Sequence, residues 1–404
     1  MRFRVENECD RLEAVLVHRP GQELDRLTHD NIKAFLFEDV PYLRRAQDEH
    51  DAFVARLRDH GVEVVYLEHL LTEVLGDPVV RQSLVAEVCL VENAGTVIAE
   101  LASAQHWDAR ALADVLFAGL TATEFEQSTG RRIAAGGEDE FLLPPIPNAY
   151  FSRDPAVVVR DAAISCKMHF RQRVRETLLT RAVLEKHPQF RDNPITYGGS
   201  DEPTEDRPYT IEGGDVIVLS ADAVLVGASE RTRSETIERV ASKCLRFGPV
   251  RRVYEIPVPT ERAFMHLDTV LTILDRGKVL WYPEVIEKIG YIYRFEQDAS
   301  GESTVRTIED RSFAEILRDE FETELTVVRT AGGRRPHAAK EQRMDGANVL
   351  AIAPSVVITY ERNEHTTREL EAHGVQCIRI RDSELVRGLG GPRCMTMPLR
   401  RSRA

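Results

Sequence analysis

Residues 215–232, DVIVLSADAVLVGASERT, carry two short apolar runs separated by the polar break Ser220–Ala221–Asp222. Two such runs around a tight polar break read as a β-hairpin. The pattern returns in 156–167 (AVVVRDAAISCK), 269–283 (TVLTILDRGKVLWYP) and 348–363 (NVLAIAPSVVITYERN), and residues 12–21 (LEAVLVHRPG) look like half of it. Helical stretches follow several of these runs. RETLLTRAVLEKH (175–187) follows the first. SETIERVASKCL (234–245) follows the second, with Ser234 as the expected N-cap. TTRELEAHG (366–374) follows the fourth, with Gly374 as the expected C-cap. Hairpins alternating with helices predict an α/β fold.

A polar cluster stands just ahead of each hairpin: FSRDP (151–155), IEGGD (211–215), FMHLD (264–268) and MDGAN (344–348). Any one of them reads as plain turn chemistry, because Asp, Asn and Gly favour turns. Four in register predict something more. Hairpins related by rotation about an axis would bring the clusters together at one end, as in a propeller-like arrangement. The stretch RCMTMPL (393–399) would deliver Cys394 to the same end.

Residues 72–140 interrupt the rhythm with apolar residues at helical spacing, then a Gly- and Pro-rich return, GRRIAAGGEDEFLLPPIPN (130–148). The expected organisation is a main catalytic domain of residues 1–71 and 141–404 with an inserted helical domain, 72–140.

Composition narrows the function. Hydrophobic residues at 43% and charged residues at 29% of 404 describe an ordinary globular chain. No apolar run approaches the roughly 18 residues of a membrane span, and the first residues lack a signal-peptide core, so a cytoplasmic protein without membrane contact is expected. A net charge of −13, with no basic block beyond the terminal RRSR, argues against nucleic acid. The six cysteines show no CxxC pair, which disfavours both a disulfide framework and a zinc–thiolate site. What remains is one cysteine acting with histidine and acids. Cys394 fits, because it follows the flexible run Gly388, Gly390 and Gly391 rather than sitting in an apolar stretch.

Cys394, His266, Glu212, Asp154 and Asp268 together suggest a task. A thiolate is a nucleophile that needs nearby positive charge or a base. Several carboxylates around one point repel each other unless a cation lies between them. A guanidinium suits that position, since its planar N–H fork pairs bidentately with carboxylates.

The ordered set NAYFSRDP, IEGGDVIVL, SERT, MHLDTVLT, ANVLAI, YERN and RCMTMPL, with the earlier LFEDVPYLRRAQDEHDAF, is similar to the motifs of the arginine deiminase family over essentially the whole chain. The resemblance implies the pentein fold, a five-bladed pseudo-symmetric α/β propeller with a helical insertion. It also implies hydrolysis of L-arginine to L-citrulline and ammonia through a covalent amidino-cysteine intermediate. Under it, Cys394 is the nucleophile and His266 the acid/base. Glu212 holds the guanidinium and helps move protons, and Asp154 and Asp268 clamp its nitrogens. Asn148, Arg173 and Arg231 receive the α-carboxylate, Phe151 lines the pocket, and Gly388 offers a backbone carbonyl. No metal or organic cofactor is implied, and a homo-oligomer is expected.

Two departures stand out. Leu389 occupies a place where some members carry an arginine proposed to gate the cysteine, and Asp345 stands where asparagine is common. Asp215 is expected to support a turn, and Asp25, Glu38 and Asp39 to belong to an entry loop or its surface. The alternatives are a related guanidino-modifying enzyme (an amidinotransferase, or a hydrolase of agmatine or methylated arginine), a metal-dependent hydrolase built on HLD and EGGD, and a non-catalytic arginine-binding protein. Asn148 with two arginines argues against agmatine. The metal reading lacks an HExxH or a histidine cluster.

Overall fold

The computed structural model describes residues 1–133, 141–197, 209–247, 250–301 and 303–402. All four predicted hairpins form. Ala156–Val159 pairs antiparallel with Ala162–Ser165, Val216–Val218 with Ala223–Ala228, Leu271–Asp275 with Lys278–Trp281, and Leu350–Ala353 with Val356–Tyr360. Their runs are continuous rather than alternating because both faces are covered: every residue of Ala156–Val159 and Val216–Val218 is buried. Three of the hairpin turns place a residue in the left-handed region: Arg160 at φ 57°, Gly277 at 72° and Ser355 at 57°. At Gly277 the turn also lacks room, since a Cβ would lie 2.4 Å from Thr323 Cγ2.

Each hairpin gains a third strand, parallel to its second, and a parallel neighbour requires a crossover. The helices Val174–Lys186, Ser234–Phe247, Phe313–Phe321 and Glu364–Ala372 lie on these crossovers. They lead to Ile195–Tyr197, Arg252–Pro257, Thr326–Arg329 and Gln376–Ile380. The half-unit at the N-terminus completes a fifth copy. Leu12–Val17 pairs antiparallel with Met397–Arg401, and the helix Leu43–Asp59 leads to the parallel strand Glu63–Tyr66. The described residues thus hold five sheets built on one strand–strand–helix–strand plan. The second sheet is widened by a hairpin, Tyr293–Gln297 with Thr304–Ile308, that docks on Arg252–Pro257.

Two helix ends can be compared with expectation. Gly374 adopts φ 75° just past the helix Glu364–Ala372, and its N–H reaches the Glu371 carbonyl at 3.0 Å, as a glycine stop should. Ser234 lies inside its helix instead of capping it, and its hydroxyl donates to Glu255 Oε1 at 2.6 Å.

The segment between the fifth and first units is helical: Leu67–Val74, Pro78–Val91, Ile98–Ala102, Ala109–Ala118 and Ala122–Thr129. Asp77 caps the second of these with Pro78 at its first position, and Thr121 with Glu124 forms a capping box on the last. The helix Leu67–Val74 runs across residue 72. Part of the return linker, 134–140, lies outside the described residues. Leu84, Val85 and Val88 of the segment share one apolar core with Leu178, Leu179 and Val183 of the first unit. Each such buried side chain contributes about 1.5–3 kcal/mol.

Candidate active site

The four polar clusters and the C-terminal cysteine meet. Each stands in a tight turn at the start of its unit's first strand, and backbone and side-chain hydrogen bonds link the turns into a closed ring. Arg153 N–H donates to the Cys394 carbonyl at 3.0 Å, and Cys394 N–H donates to Asn348 Oδ1 at 3.1 Å. Asn348 Nδ2 donates to the Asp268 carbonyl at 3.1 Å, and Leu267 N–H to Asp215 Oδ1 at 2.8 Å. Gly213 N–H returns to the Asp154 carbonyl at 3.0 Å. All five units contribute, and every link has main chain on at least one side, with the buried side chains of Asn348 and Asp215 completing three of the five.

Within the ring, His266 Nε2 lies 2.8 Å from Glu212 Oε2, and its Nδ1 lies 3.8 Å from Asp154 Oδ1. Cys394 Sγ sits 3.7 Å from Asp268 Oδ2. The two aspartates are alike in a telling way. Asp154 Oδ2 accepts from Arg173 at 2.9 Å and Asp268 Oδ2 from Arg393 at 2.6 Å, while Oδ1 of each is buried without a hydrogen-bond partner. Leaving such an acceptor unmet costs about 1–3 kcal/mol. Two buried carboxylate oxygens near the thiol's own turn thus retain the capacity to accept N–H donors.

The remaining expected residues also line or border the cavity. Asn148, Phe151, Arg173, Arg231, Gly388 and Leu389 all face it, and it encloses only about 20 Å³, room for about one water. Arg173 forks onto Glu176 at 3.0 and 2.8 Å besides reaching Asp154. Arg231 contacts Glu212 at 3.4 Å and lies over the Phe170 ring, 4.4 Å from its centroid. Asn148 Nδ2 donates to the Phe35 carbonyl at 2.8 Å. Gly388 is close-packed: a Cβ would lie 2.1 Å from Tyr150 Oη and 2.9 Å from the Phe151 ring. Glu38 and Asp39 are exposed and paired with Arg262 and Arg387 at the cavity's outer edge, whereas Asp25 is exposed and lines no part of it.

Several supporting residues gave no usable sequence signal. Arg393 joins Asp268 to Glu8 at 3.1 Å, and Arg153 lies 3.6 Å from Glu8. Burial alone would raise the Glu8 carboxyl, but Arg393, Arg153 and Arg401 hold it down to about 2. Asp215 accepts from the Ser229 hydroxyl at 2.7 Å as well as from Leu267, which fits the turn-supporting role expected of it.

The charges are arranged for a cationic ligand. Burial pushes the Cys394 thiol well above its ordinary value, and Asp268, Asp154 and Asp345 push the same way. His266 shows the opposite balance: burial lowers its pKa, but Asp154 and Glu212 outweigh that and raise it to about 9. Burial likewise raises Glu212, yet Arg231 and His266 hold it well below the usual carboxylate range. The pair is an imidazolium facing a carboxylate. Asp345, at φ 57° and buried, is pushed up to about 8 by burial and by Asp268.

Asp154, Glu212 and His266 are also close enough together to hold a metal ion. Arg173 and Arg231, however, already lie 3.6 and 3.4 Å from Glu212 Oε2, so a dication would sit against two guanidinium groups.

The two glycines of IEGGD are needed for different reasons: a Cβ on Gly213 would lie 2.1 Å from the Arg153 carbonyl oxygen, whereas Gly214 makes room for the histidine. A Cβ on Gly214 would lie 2.6 Å from His266 Nδ1 and 3.0 Å from Asp154 Oδ1. Gly214→Ala should therefore displace the imidazole and lower kcat about 100-fold. Steady-state kinetics with a parallel thermal melt check this, and an unchanged kcat in a folded variant would refute it.

Residues 33–401 match the family described as Arginine deiminase. The arginine deiminase of Staphylococcus haemolyticus is 37% identical over 98% of this chain and 98% of its own. Among solved structures, SxtG, an amidinotransferase of saxitoxin biosynthesis from Microseira wollei, superposes with a TM-score of 0.59 at 17% identity, covering 100% of this chain and 98% of that one. DDAH from Pseudomonas aeruginosa, complexed with citrulline, gives 0.52 at 15% identity over 96% of this chain and 99% of its own. The two structural likenesses are likenesses of fold. With near-complete coverage by the sequence relative and by the family match, this chain belongs to the arginine deiminase family.

Proposed function

We propose that this protein hydrolyses L-arginine to L-citrulline and ammonia through an amidino-cysteine intermediate. One observation carries the site assignment: the Cys394 sulfur lies 3.7 Å from Asp268 Oδ2, and the Oδ1 oxygens of Asp268 and Asp154 are buried without a hydrogen-bond partner. Guanidinium N–H groups satisfy both. Their positive charge offsets the acids that hold the thiol protonated, so the substrate itself brings Cys394 to its thiolate. Asp268, 3.7 Å away, is the nearest acceptor for that proton.

The sulfur then bonds to the guanidinium carbon. His266, charged at neutral pH, donates a proton to the departing nitrogen as the C–N bond breaks and ammonia leaves. A water adds to the remaining amidino carbon and His266 takes one of its protons. The C–S bond then breaks with its electron pair leaving on sulfur, and the new hydroxyl loses its proton to solvent as the ureido C=O forms. Citrulline departs while Asp268 returns the first proton to the thiolate. Glu212 steadies the imidazolium throughout. Positioned acid–base help of this kind is worth about 10²–10⁴-fold. Asn148, Arg173 and Arg231 are the groups proposed for the α-carboxylate, with Phe151 and the Gly388 carbonyl shaping the pocket.

The five repeated sheets and the closed ring of turn-to-turn hydrogen bonds support a five-bladed propeller around the site. We place the helical insertion from Leu67, where its first helix begins, back to the strand Phe141–Leu143. The six unpaired cysteines favour a cytoplasmic setting. Among the described residues no helix is long and apolar enough to cross a membrane. A homo-oligomer remains the proposed assembly.

The decisive assay offers arginine, agmatine and methylarginine side by side. Citrulline and ammonia from arginine alone support the proposal; ornithine with a new amidino compound would overturn it in favour of a transferase. The pH profile follows from His266. A histidine raised to about 9 stays charged up to that pH, so kcat/KM should fall above about pH 9. The same pair stabilises the fold fully below the ordinary histidine pKa of about 6.5, and the contribution fades as pH rises through about 9. Glu212→Gln should move the alkaline limb of kcat/KM toward 6.5; an unmoved limb would assign it to another group.

A further inference from the structure

A second cavity, of about 720 Å³, lies between the fourth and fifth units and shares no lining residue with the active site. Sites for small molecules are commonly of this size. Arg45 reaches it from the helix Leu43–Asp59, Lys340 from His337–Arg343 and Arg368 from Glu364–Ala372, while Arg379 and Arg381 come from the strand Gln376–Ile380 and its end. Five cations thus surround one hollow on a chain whose net charge is −13. Lys340 and Arg381 are exposed, and their side chains make no hydrogen bond or ion pair among the described residues. Each of the other three has one acid: Glu49 at 3.8 Å, Glu364 at 3.0 Å and Glu371 at 2.7 Å. Pairs so long or so exposed are worth little net free energy, so they exchange partners readily.

The acids in the lining are mostly committed elsewhere. Glu49 accepts from the N–H groups of Ser383, Glu384 and Leu385 at 2.9, 2.9 and 3.1 Å. Glu341 accepts from those of His365 and Thr366 at 2.8 and 2.7 Å. Asp382 pairs with Arg362 at 2.5 Å, and those two charges cancel. Of the lining acids Glu361 and Glu364 remain, and five cations against two acids leave an excess of three positive charges facing the hollow. We infer that this cavity is a binding site for a small phosphate-bearing anion. A phosphate or diphosphate carries more than one charge and several acceptor oxygens, so it can meet N–H donors arriving from three helices and a strand; a carboxylate offers two oxygens. Arginine forks and a lysine ammonium both suit phosphate. The cavity wall also includes Asp382 and Ser383, where the segment leading to Gly388 and Leu389 of the active cavity begins. A bound anion therefore braces the root of the loop ahead of Cys394.

The test is calorimetric titration of the full chain with inorganic pyrophosphate, at fixed ionic strength and without divalent cations. Saturable binding to a single site is expected. The double variant Lys340→Ala with Arg381→Ala removes two exposed side chains that hold nothing in the fold, so its thermal melt should match wild type while the Kd rises about 10-fold or more. Arg56→Ala, which breaks an exposed pair with Asp59 on another face, should leave the Kd within about twofold. Inorganic phosphate and ATP, titrated in the same way, tell the sources of the phosphate apart. ATP binding within about threefold of pyrophosphate assigns recognition to the phosphates alone, and binding at least about tenfold tighter adds contacts to the nucleoside. Hydrogen exchange locates the site: amides of residues 376–385 should slow with pyrophosphate bound, and those of 215–230 should not. Absence of saturation by all three ligands below about 5 mM would reduce the cluster to a solvated surface. A double variant that binds pyrophosphate as tightly as wild type would place the anion elsewhere. Either result overturns the assignment.

Discussion

Replacing Cys394 by alanine is expected to abolish citrulline formation, with a loss of about 10⁴-fold or more, while the protein stays folded. Without sulfur there is no bond to the guanidinium carbon, and no other thiol can substitute. Cys9, Cys89 and Cys166 are buried and Cys244 and Cys377 half-buried, and none lines the cavity. The fold should survive because Cys394 supports the ring through its backbone. Its N–H meets Asn348 and its carbonyl meets Arg153, and alanine keeps both. Acid-quenched protein examined by mass spectrometry should show an arginine-derived adduct in wild type and none in the variant. Residual turnover above about 1% of wild type would assign the nucleophile elsewhere.

Asp268→Asn is expected to produce the second largest effect, and in two opposite directions. One orphaned acceptor for the guanidinium loses its charge, so kcat/KM should fall about 10³-fold. Arg393 exchanges its charged 2.6 Å partner for a neutral amide and keeps Glu8 and the Val216 carbonyl, so stability should drop by about 3 kcal/mol, read as a lower urea midpoint. Meanwhile one of the acids that hold the Cys394 thiol protonated is gone. Alkylation of Cys394 by iodoacetamide at pH 8 should therefore speed up as turnover collapses. A general loss of structure would change the reactivity of every buried cysteine; a selective gain at Cys394 would not arise that way. Slower alkylation together with intact activity would refute the clamp.

How much of this was legible in the chain depended on whether the cause was local. The hairpins could be read because strands buried on both faces need unbroken apolar runs, as in Val216–Val218 and Ala223–Ala228. The fifth unit showed only half of itself, because the partner of Leu12–Val17 lies at the other end of the chain. The strand Tyr293–Gln297 was missed since its residues, YRFEQ, are mostly half-buried and carry little apolar signal. Its turn, Asp298–Ala299–Ser300–Gly301, could have revealed it.

Cys394, His266, Glu212, Asp154 and Asp268 emerged from register and were then named in role by family resemblance. Arg393 and Glu8 did not emerge, because an isolated charged residue reads as surface and only tertiary structure makes it buried. Ser234 illustrates a smaller error: a serine at a helix start suggests a cap, yet a carboxylate from another strand claims its hydroxyl.

The pairing of Met397–Arg401 with Leu12–Val17 ties the nucleophile to the longest-range contact of the fifth unit. Closing this pair joins segments far apart in sequence, so it carries a larger loop-closure cost than any of the local hairpins. Cys394 lies three residues before Met397–Arg401, so the sulfur is delivered to its acids by that long-range pairing. Loosening the seam between these two strands would therefore withdraw the nucleophile before it disturbed the local hairpins.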